Sequence, residues 1–305
     1  SGLKAITMGV HAIMTGQADV IVAGGMESMS NAPFALKKAR WGHRMELTGT
    51  GDIHDLMVFD GLYEIFNGYH MGITAENIAS LYGISREEQD KLGVLSHQRA
   101  MAAIKNGLFK DEIVPVVLPS KKGDIIVDTD ERPMETSLEK MAQMKPAFKK
   151  DGTVTAANAS GINDGASFVL LASEKAIKDH GLVLLAEVVA TAQAGVDPAY
   201  MGLGPVPAVR KLLRITGTSI KDYDLFELNE AFAAQAIACL RELNIPWEIT
   251  NVNGSAISIG HPVGCSGARI VLALVNEMKR RNVRRGLASL CIGGGQGMAI
   301  AVEAV

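Results

Sequence analysis

The sequence predicts a layered α/β fold built from two related halves. Apolar runs typical of strands alternate with segments whose apolar residues recur at helical spacing, and this alternation is typical of sheets covered by helices. One pattern occurs twice, at residues 1–25 and 266–294: Ser-Gly, then Leu or Ala, then a basic residue, a helix, a strand and a Gly-Gly pair. The 32 glycines against 10 prolines favour many tight turns between such elements.

The first copy of the repeat begins at the first residue of the chain. Residues 1–16 form a predicted helix, because apolar side chains recur there at helical spacing: Leu3, Ile6, Val10 and Ile13. Residues 18–23 then predict a strand buried on both faces, which ends at the pair Gly24-Gly25.

The next long segment, about residues 35–155, differs in composition from the rest of the chain, with clusters of Met, His, Gly and Lys. It contains a predicted helix at 86–106 and a predicted extended pair around 113–117 and 125–127. An excursion of this length is usually a functional lid or an interface. We therefore interpret it as an insertion into the first half, which resumes with a strand at 166–172 and a helix ending at His180.

The second half begins with the apolar run 182–191, and helices are predicted at 206–213 and 230–243. The second copy of the repeat gives a helix from Ser266 and a strand at 286–291, and a last strand follows at 298–302. These elements predict four parts: residues 1–34 of the first half, the inserted loop domain 35–157, the return 158–180 and the second half 181–305.

Composition excludes several classes of protein. The net charge is −3 with no long basic run, which argues against nucleic acid as a partner. No apolar segment reaches the length of a membrane span. The three cysteines, Cys239, Cys265 and Cys291, form no CxxC pair, which favours a reducing compartment over a disulfide framework or a metal site.

Two glycine-bordered stretches carry the predicted chemistry. His261 stands between Gly260 and Pro262, just ahead of a helix, so its imidazole is held on a tight loop. Cys291 lies at the end of an apolar run, and three glycines follow after Ile292. Backbone N–H groups of such glycines can approach a carbonyl oxygen that becomes negative. A histidine and a cysteine in such settings indicate acyl chemistry on a thiol or a carbon acid.

Three ordered motifs identify a resemblance to a known family. Asn229-Glu-Ala-Phe232, Gly260-His-Pro262 and Cys291-Ile-Gly-Gly-Gly295 resemble the C-terminal motifs of the thiolases, and the similarity covers essentially the whole chain. The resemblance implies two halves whose sheets pack around central helices. It also implies coenzyme A thioesters as substrates, with no metal and no permanently bound cofactor.

The resemblance assigns a role to each residue of the motifs. Cys291 would be the acid/base that moves the proton of the acetyl methyl group, a task suited to an ordinary thiol pKa of about 8.5. His261 would activate the nucleophile and, with a water held by Asn229, form one oxyanion hole; the Gly293 N–H would serve the other. The plainer alternatives are a core cysteine, a structural histidine and, for Asn229, a helix N-cap.

Further positions match the substrate tunnel of the family. His70 and Met71, in the pattern Tyr-His-Met-Gly, resemble short-chain acetoacetyl-CoA thiolases, and Ser160 matches the serine that contacts pantetheine. The remaining expected tunnel residues are Phe148, Met201, Leu62, Ala156, Ala231 and Phe232. Ordinary loop, turn and core positions are the alternative interpretation of this set.

The chain departs from the family pattern at several positions. Cys265 replaces the usual alanine, and Ser255 and Ser258 replace a common glycine and alanine beside His261. Met134 stands about where the family often has an arginine near the adenine of coenzyme A, so the nucleotide contacts stay open, with Arg132 as one alternative. Cys239 is expected only to pack in the core.

The largest departure concerns the nucleophile. The family carries it in a Cys-x-Ser-Gly-Leu motif, of which Ser1-Gly-Leu3 matches only the end. The nucleophilic cysteine would therefore stand two residues before Ser1. We expect an N-terminal segment, absent from the 305 residues, to be a partner of this chain.

The expected activity is the reversible condensation of two acetyl-CoA into acetoacetyl-CoA and CoA. A degradative thiolase acting on longer 3-ketoacyl chains is one alternative, and a non-catalytic thiolase-like scaffold is another. The resemblance further implies a homotetramer or dimer in the cytoplasm, with mitochondria and peroxisomes as alternatives.

Overall fold

The computed structural model describes residues 1–43 and 52–305. Its α-helices are α1 (Gly2–Met14), α2 (Met71–Tyr82), α3 (Arg86–Lys105), α4 (Leu138–Ala142), α5 (Glu174–His180), α6 (Pro205–Thr216), α7 (Ala233–Leu243), α8 (Ala256–Ile259) and α9 (Val263–Arg281). Its strands are β1 (Val20–Ser28), β2 (Phe34–Leu36), β3 (Ile53–Asp55), β4 (Tyr63–Glu64), β5 (Tyr69–His70), β6 (Val116–Leu118), β7 (Ile125–Val127), β8 (Asp164–Ala172), β9 (Glu187–Gly195), β10 (Leu225–Leu228), β11 (Arg285–Ile292) and β12 (Gln296–Glu303). Shorter turns of 3₁₀ or π type are Ala39–Trp41, Met57–Leu62, Pro198–Leu203, Ile220–Asp222 and Trp247–Ile249.

Two sheets enclose a central pair of helices. In the first half β1 pairs antiparallel with β8, and in the second half the strand order is β10-β11-β12-β9. Helices α1 and α9 pack on each other; α9 contacts β1, β8, β10 and β11, and α1 contacts β1, β8 and β12. Their apolar faces form one core with both sheets, with Leu3, Ile6, Ile270 and Leu274 among its buried residues. The predicted layered arrangement around central helices is confirmed.

The repeat seen in the sequence is also a structural repeat. Helix α1 leads into β1 as α9 leads into β11, and each strand then pairs antiparallel with a returning strand, β8 or β12. In the second half the return takes only the turn Gly293–Gly295, whereas in the first half it takes residues 29–163. The excursion therefore interrupts a unit that is continuous in the second half.

A second core covers the other face of the larger sheet. Helix α6 packs on β9, β11 and β12, and α7 packs on α2, α3 and α6. Helix α3, predicted at 86–106, begins with a capping box in which Ser85 Oγ accepts from Glu88 N–H and the Glu88 carboxylate accepts from Ser85 N–H. The inserted segment is thus anchored to the second half through α2 and α3.

Strand β1 differs from its prediction in both length and burial. It runs to Ser28, through the glycine pair expected to end it, because Gly24 and Gly25 continue the ladder opposite Phe168 and Ser167. One face is exposed rather than buried: Val22 is 68% and Met26 is 65% exposed. The prediction of burial on both faces was wrong, since no described element covers this face.

Three other boundaries also shifted. The apolar run predicted at 182–191 forms strand β9 only from Glu187 onward. Residues 182–186 precede the strand, and Val183 among them is exposed. Helix α7 begins at Ala233 with Phe232 as its N-cap, so Asn229 is not the N-cap. Helix α9 begins three residues before Ser266.

The excursion carries small antiparallel pairs on its surface. Strands β6 and β7 confirm the predicted extended pair, and their apolar side chains are exposed on both strands. The boundaries proposed for the four parts of the chain stay a prediction. In the described parts of the chain, no helix combines the length and apolarity required to cross a membrane.

Candidate active site

Asn229 and Cys291 lie at the same edge of the larger sheet. Strands β10 and β11 are parallel, with Leu228 opposite Ser289, so their carboxyl ends coincide. Asn229 directly follows β10, and its backbone N–H donates to Ser289 O at 3.0 Å. Cys291 stands two residues further along β11. These two residues are more than sixty positions apart in the sequence, and the pairing of β10 with β11 brings them to the same edge of the sheet.

His261 is held from three sides. Its Nε2 lies 3.4 Å from Asn229 Nδ2, its Nδ1 lies 2.6 Å from Ser266 Oγ, and its backbone N–H donates to Gly161 O at 3.4 Å. Gly260 takes a φ of 116°, and a Cβ there would lie 2.3 Å from Asn163 Oδ1. Only glycine suits this turn, so the loop fixes the histidine as the sequence predicts.

The environment of His261 favours a neutral imidazole. Burial, and after it the Arg269 guanidinium, lowers the pKa of His261 to about 4. Arg269 is itself fixed by Glu227, at 3.5 Å, and by Ser255 Oγ, at 3.3 Å. At neutral pH the ring therefore has one nitrogen free to accept a proton.

Cys291 is a buried thiol rather than a poised thiolate. It is 6% exposed, and burial raises its pKa to about 12. This corrects the expectation of a pKa near 8.5, because a low-dielectric site disfavours the charged form. At neutral pH Cys291 carries its proton.

A buried apolar cluster surrounds Cys291. Its other members are Met71, Ala75, Val154, Ala159, Met201, Ala231 and Phe232, with Phe148 packed against them. The His70 ring stacks on Phe148 with centroids 4.6 Å apart, and Phe148 meets Phe232 edge-on at 6.2 Å. Most residues predicted for the acyl pocket therefore converge on Cys291.

The glycine cluster after Cys291 faces this pocket. A Cβ on Gly293 would lie 2.9 Å from Met71 Cε, so any side chain there would crowd the pocket wall. Gly294 and Gly295 follow with φ of 76° and 80°, a conformation that favours glycine. The turn thus exposes the backbone of Gly293 beside Met71.

Ser160 lies just after the inserted segment and is bonded to the backbone beside the site. Its N–H donates to Ala231 O at 3.0 Å, and Ala159 forms an antiparallel bridge with Phe232. Two predicted tunnel residues lie outside the buried cluster: Leu62 is half-buried and Ala156 is exposed. Their tunnel role stays a prediction.

The structure shows the surroundings of several residues that differ from the family pattern or lie near those positions. Arg132 donates to two carbonyls, Ile257 O at 2.8 Å and Ala159 O at 3.3 Å, so its guanidinium supports the loops around the site. Met134 is exposed, and Cys239 is fully buried in the core. In residues 1–43 and 52–305, no group of His, Cys, Asp and Glu side chains could hold a metal ion.

Sequence reasoning missed Ser266 as the partner of His261. The available signal was its place on the first turns of α9, five residues after the histidine. It also missed Ala75 and Val154, whose small or branched apolar side chains have no motif to mark them.

Comparison with known families agrees with this geometry. The N-terminal domain of the thiolases matches residues 1–175, and the C-terminal domain matches residues 182–304. The chain belongs to the thiolase family. Among curated relatives of this thiolase, an acetyl-CoA acetyltransferase of Syntrophomonas wolfei is 55% identical and aligns with 100% of the chain and 77% of its own length.

Solved structures of other thiolases share the fold. The acetyl-CoA acetyltransferase of Bacillus anthracis has a TM-score of 0.96 and 46% identity, with 100% of this chain and 77% of that chain covered. A human mitochondrial 3-ketoacyl-CoA thiolase in complex with CoA has a TM-score of 0.94 and 43% identity, with 100% and 76% covered. The chain thus spans about three quarters of these relatives.

Proposed function

We propose that this thiolase is an acetyl-CoA C-acetyltransferase. Such an enzyme interconverts two molecules of acetyl-CoA with acetoacetyl-CoA and CoA. The observation that carries the proposal is the convergence of the Cys291 thiol, the Asn229–His261 pair and a buried apolar cluster at one sheet edge. Relatives named acetyl-CoA acetyltransferase at 55% and 53% identity support it. Coenzyme A thioesters enter as substrates, and no permanently bound cofactor takes part.

The first half-reaction needs a base beside an attacking thiol. We assign the base to the neutral His261, whose pKa of about 4 leaves a ring nitrogen able to accept a proton. In the family pattern the attacking cysteine precedes Ser1. Helix α1 begins close to the His261 loop, since a Cβ on Gly2 would lie 3.1 Å from Gly264 O. The thiol proton passes to His261 and the sulfur attacks the thioester carbon. CoA leaves as the thiol by taking the proton of Cys291, which leaves Cys291 as the thiolate.

The second half-reaction makes the carbon–carbon bond. Cys291 as thiolate removes a proton from the methyl group of a second acetyl-CoA, and the carbanion attacks the acyl-enzyme carbonyl. The sulfur of the nucleophile then leaves with its electron pair and recovers its proton from His261, while Cys291 keeps the proton of the methyl group. In the reverse direction the Cys291 thiol, the form favoured by its pKa of about 12, donates the proton to the departing carbon.

Two oxyanion holes hold the oxygens that become negative. We propose that His261 N–H and a water on Asn229 serve the enolate oxygen, and that the Gly293 N–H serves the acyl-enzyme oxygen. Asn229 Oδ1 is buried and has no hydrogen-bond partner among the described residues, so it is an acceptor for that water. Removing one such donor typically costs about 3 kcal/mol of transition-state stabilisation.

The pocket favours a short acyl group. His70 Nδ1 accepts from Gly72 N–H at 3.0 Å, which fixes the ring against Phe148. Phe148 packs on the buried cluster that includes Met201 and Phe232, so apolar side chains surround Cys291. This supports acetyl and acetoacetyl groups over longer chains, and we assign the tunnel role of Leu62, Ala156 and Ser160 to the pantetheine arm.

We further propose that the thiolase works as a dimer or tetramer in the cytoplasm. The exposed apolar side chains of β6 and β7 support an interface with another copy. The four-part division of the chain into 1–34, 35–157, 158–180 and 181–305 belongs to the same proposal, with the excursion supplying the pocket wall and the contacts between copies.

The test uses a fusion protein, defined as residues 1–305 preceded by the segment of the Syntrophomonas wolfei relative that carries the Cys-x-Ser-Gly-Leu motif. In this fusion protein Cys291→Ala should lower the rate of acetoacetyl-CoA formation by about 10²- to 10⁴-fold, the usual contribution of a proton-transfer group. Acetyl-enzyme formed from labelled acetyl-CoA should remain detectable, because Cys291 takes no part in the first attack.

The matched control is Cys265→Ala, which removes another buried thiol and introduces the residue usual in the family; its condensation rate should stay within a few-fold of the parent. Equal loss of acetyl-enzyme and of condensation in Cys291→Ala would contradict the division of labour between the two cysteines. Faster turnover of long-chain 3-ketoacyl-CoA than of acetoacetyl-CoA would instead favour the degradative activity.

A further inference from the structure

A serine hydroxyl beside His261 makes two contacts. Ser266 is 1% exposed and lies on the first turns of α9. Its Oγ is 2.6 Å from His261 Nδ1 and 3.0 Å from Pro262 O. The mechanism proposed above uses the ring of His261 but gives no role to this serine.

The two contacts fix the position of one proton. A hydroxyl has a single hydrogen to donate, and a carbonyl oxygen can only accept. If Ser266 Oγ–H donates to Pro262 O, as the 3.0 Å contact indicates, its bond to His261 requires a hydrogen on Nδ1. The neutral imidazole then has no hydrogen on Nε2.

A second contact selects the same tautomer independently. The Asn229 amide nitrogen lies 3.4 Å from His261 Nε2, and an amide NH₂ group can only donate. In this orientation of the Asn229 amide, Nε2 is the accepting nitrogen. Ser266 on one side of the ring and Asn229 on the other agree that the resting histidine carries its hydrogen on Nδ1.

We propose that Ser266 is a positioning residue that holds His261 in the Nδ1–H tautomer, so that Nε2 is free to accept the proton of the attacking thiol. The catalytic consequence rests on the proposed function. When Nε2 takes that proton, the ring becomes an imidazolium with hydrogens on both nitrogens. Nε2–H can then donate to the oxyanion while Nδ1–H keeps its bond to Ser266, so no rotation of the ring is needed between the two tasks.

Solid-state ¹⁵N NMR of the sedimented fusion protein, labelled in histidine, tests the tautomer directly. The His261 signals are assigned from their loss in His261→Gln. In the parent we expect a protonated Nδ1 and an unprotonated Nε2 at neutral pH. A parent spectrum with the hydrogen on Nε2 would overturn the proposal, and this result does not require the Ser266 variants to fold.

Ser266→Ala removes the acceptor for Nδ1–H. We expect the His261 signals to move toward the Nε2–H tautomer, and kcat/KM for acetoacetyl-CoA thiolysis to fall about 10- to 100-fold, the effect of leaving a buried donor without its partner. Ser266→Cys keeps a weak acceptor of similar volume and should lie between the parent and Ser266→Ala in both measurements.

Thr7→Val is the matched control. Thr7 Oγ1 donates to the carbonyl four residues earlier, Leu3 O, at 3.0 Å, the same kind of buried helix contact in the partner helix α1. Its removal should leave the His261 signals unchanged. Unchanged His261 signals in a folded Ser266→Ala variant would contradict the proposal even if activity fell. Changed signals with no thiolysis in the parent would instead contradict the proposed function alone.

Discussion

Burial of the Cys291 side chain determines which form of its thiol is present at rest. A thiolate reacts with alkylating agents and a thiol does not. Because burial in the apolar cluster raises the pKa of Cys291 to about 12, the thiolate fraction is small throughout the range in which proteins are usually assayed.

This predicts an unusual pH dependence of alkylation at Cys291. Below its pKa the thiolate fraction grows about tenfold per pH unit, so the rate should climb from pH 7 to 9 without levelling off, whereas a free cysteine peptide levels off near its pKa of about 8.5. The measurement is the iodoacetamide labelling rate of the Cys291 peptide by mass spectrometry in the fusion protein. A plateau near pH 8.5 would contradict a buried, neutral thiol.

The sequence motifs predict which residues form the site, but they do not predict the protonation state of those residues. The three motifs predicted Asn229, His261 and Cys291, and the structure brings them to one sheet edge. The pKa of Cys291 could not be read from the sequence, because it depends on burial by distant segments around Val154 and Met201. Ser266 was missed for a related reason: its contact with His261 depends on the turn between them.

At the scale of elements, the crossing of α1 and α9 depends on glycines. A Cβ on Gly267 would lie 2.4 Å from Leu3 N and 2.9 Å from Leu3 Cβ, closer than real Cβ atoms approach. Helix propensity alone would favour alanine over glycine at this position by about 1 kcal/mol. The two effects therefore predict opposite signs for one substitution.

Gly267→Ala should destabilise the fold by about 2 kcal/mol, because the backbone of α1 must move away and overpacking of this kind typically costs 1–3 kcal/mol. The measurement is the free energy of unfolding of the fusion protein in urea. Gly61→Ala is the control, since a Cβ there meets no atom within 4 Å, and it should leave stability nearly unchanged. A Gly267→Ala variant more stable than the parent would show that helix propensity outweighs the close packing.

Most elements could be predicted from periodicity, with errors at their ends. Helix α3 and the strands β6 and β7 lie close to their predicted ranges, because caps and alternating apolar residues are local signals. Strand β1 was misjudged, since an apolar run shows that burial would be favourable but not which faces are covered. The start of α7 was misplaced by three residues because the Asn229 motif forms a loop before the helix.

At the scale of the whole molecule, the sheet of the first half is less covered by other elements than the sheet of the second half. The outer face of the β1–β8 pair presents Phe168 and Leu170, 54% and 55% exposed, beside Val22 and Met26. In the described residues β1 pairs only with β8, whereas its counterpart β11 has a strand on both sides. A free, apolar sheet edge of this kind promotes association.

Residues 1–305 expressed alone should therefore self-associate, and they should not cleave acetoacetyl-CoA, because none of their cysteines takes the place of the nucleophile at the head of α1. Sedimentation velocity, thermal melting and a thiolysis assay provide the measurements, and the fusion protein is the positive control. An active, cooperatively melting monomer of residues 1–305 would require a different nucleophile and would overturn the thiolase mechanism proposed here.

The convergence of Cys291, His261 and Asn229 on one acyl group is tested most directly by a crystal structure of the fusion protein with acetyl-CoA. We predict that the acetyl methyl carbon contacts Cys291 Sγ. Once the nucleophile is acetylated and its proton is on His261, the thioester oxygen should face His261 Nε2–H and a water on Asn229. The acetyl group should lie against Phe148 and Met201. Acetyl-CoA bound with its acetyl group away from Cys291, or bound at another edge of the molecule, would contradict the assigned site.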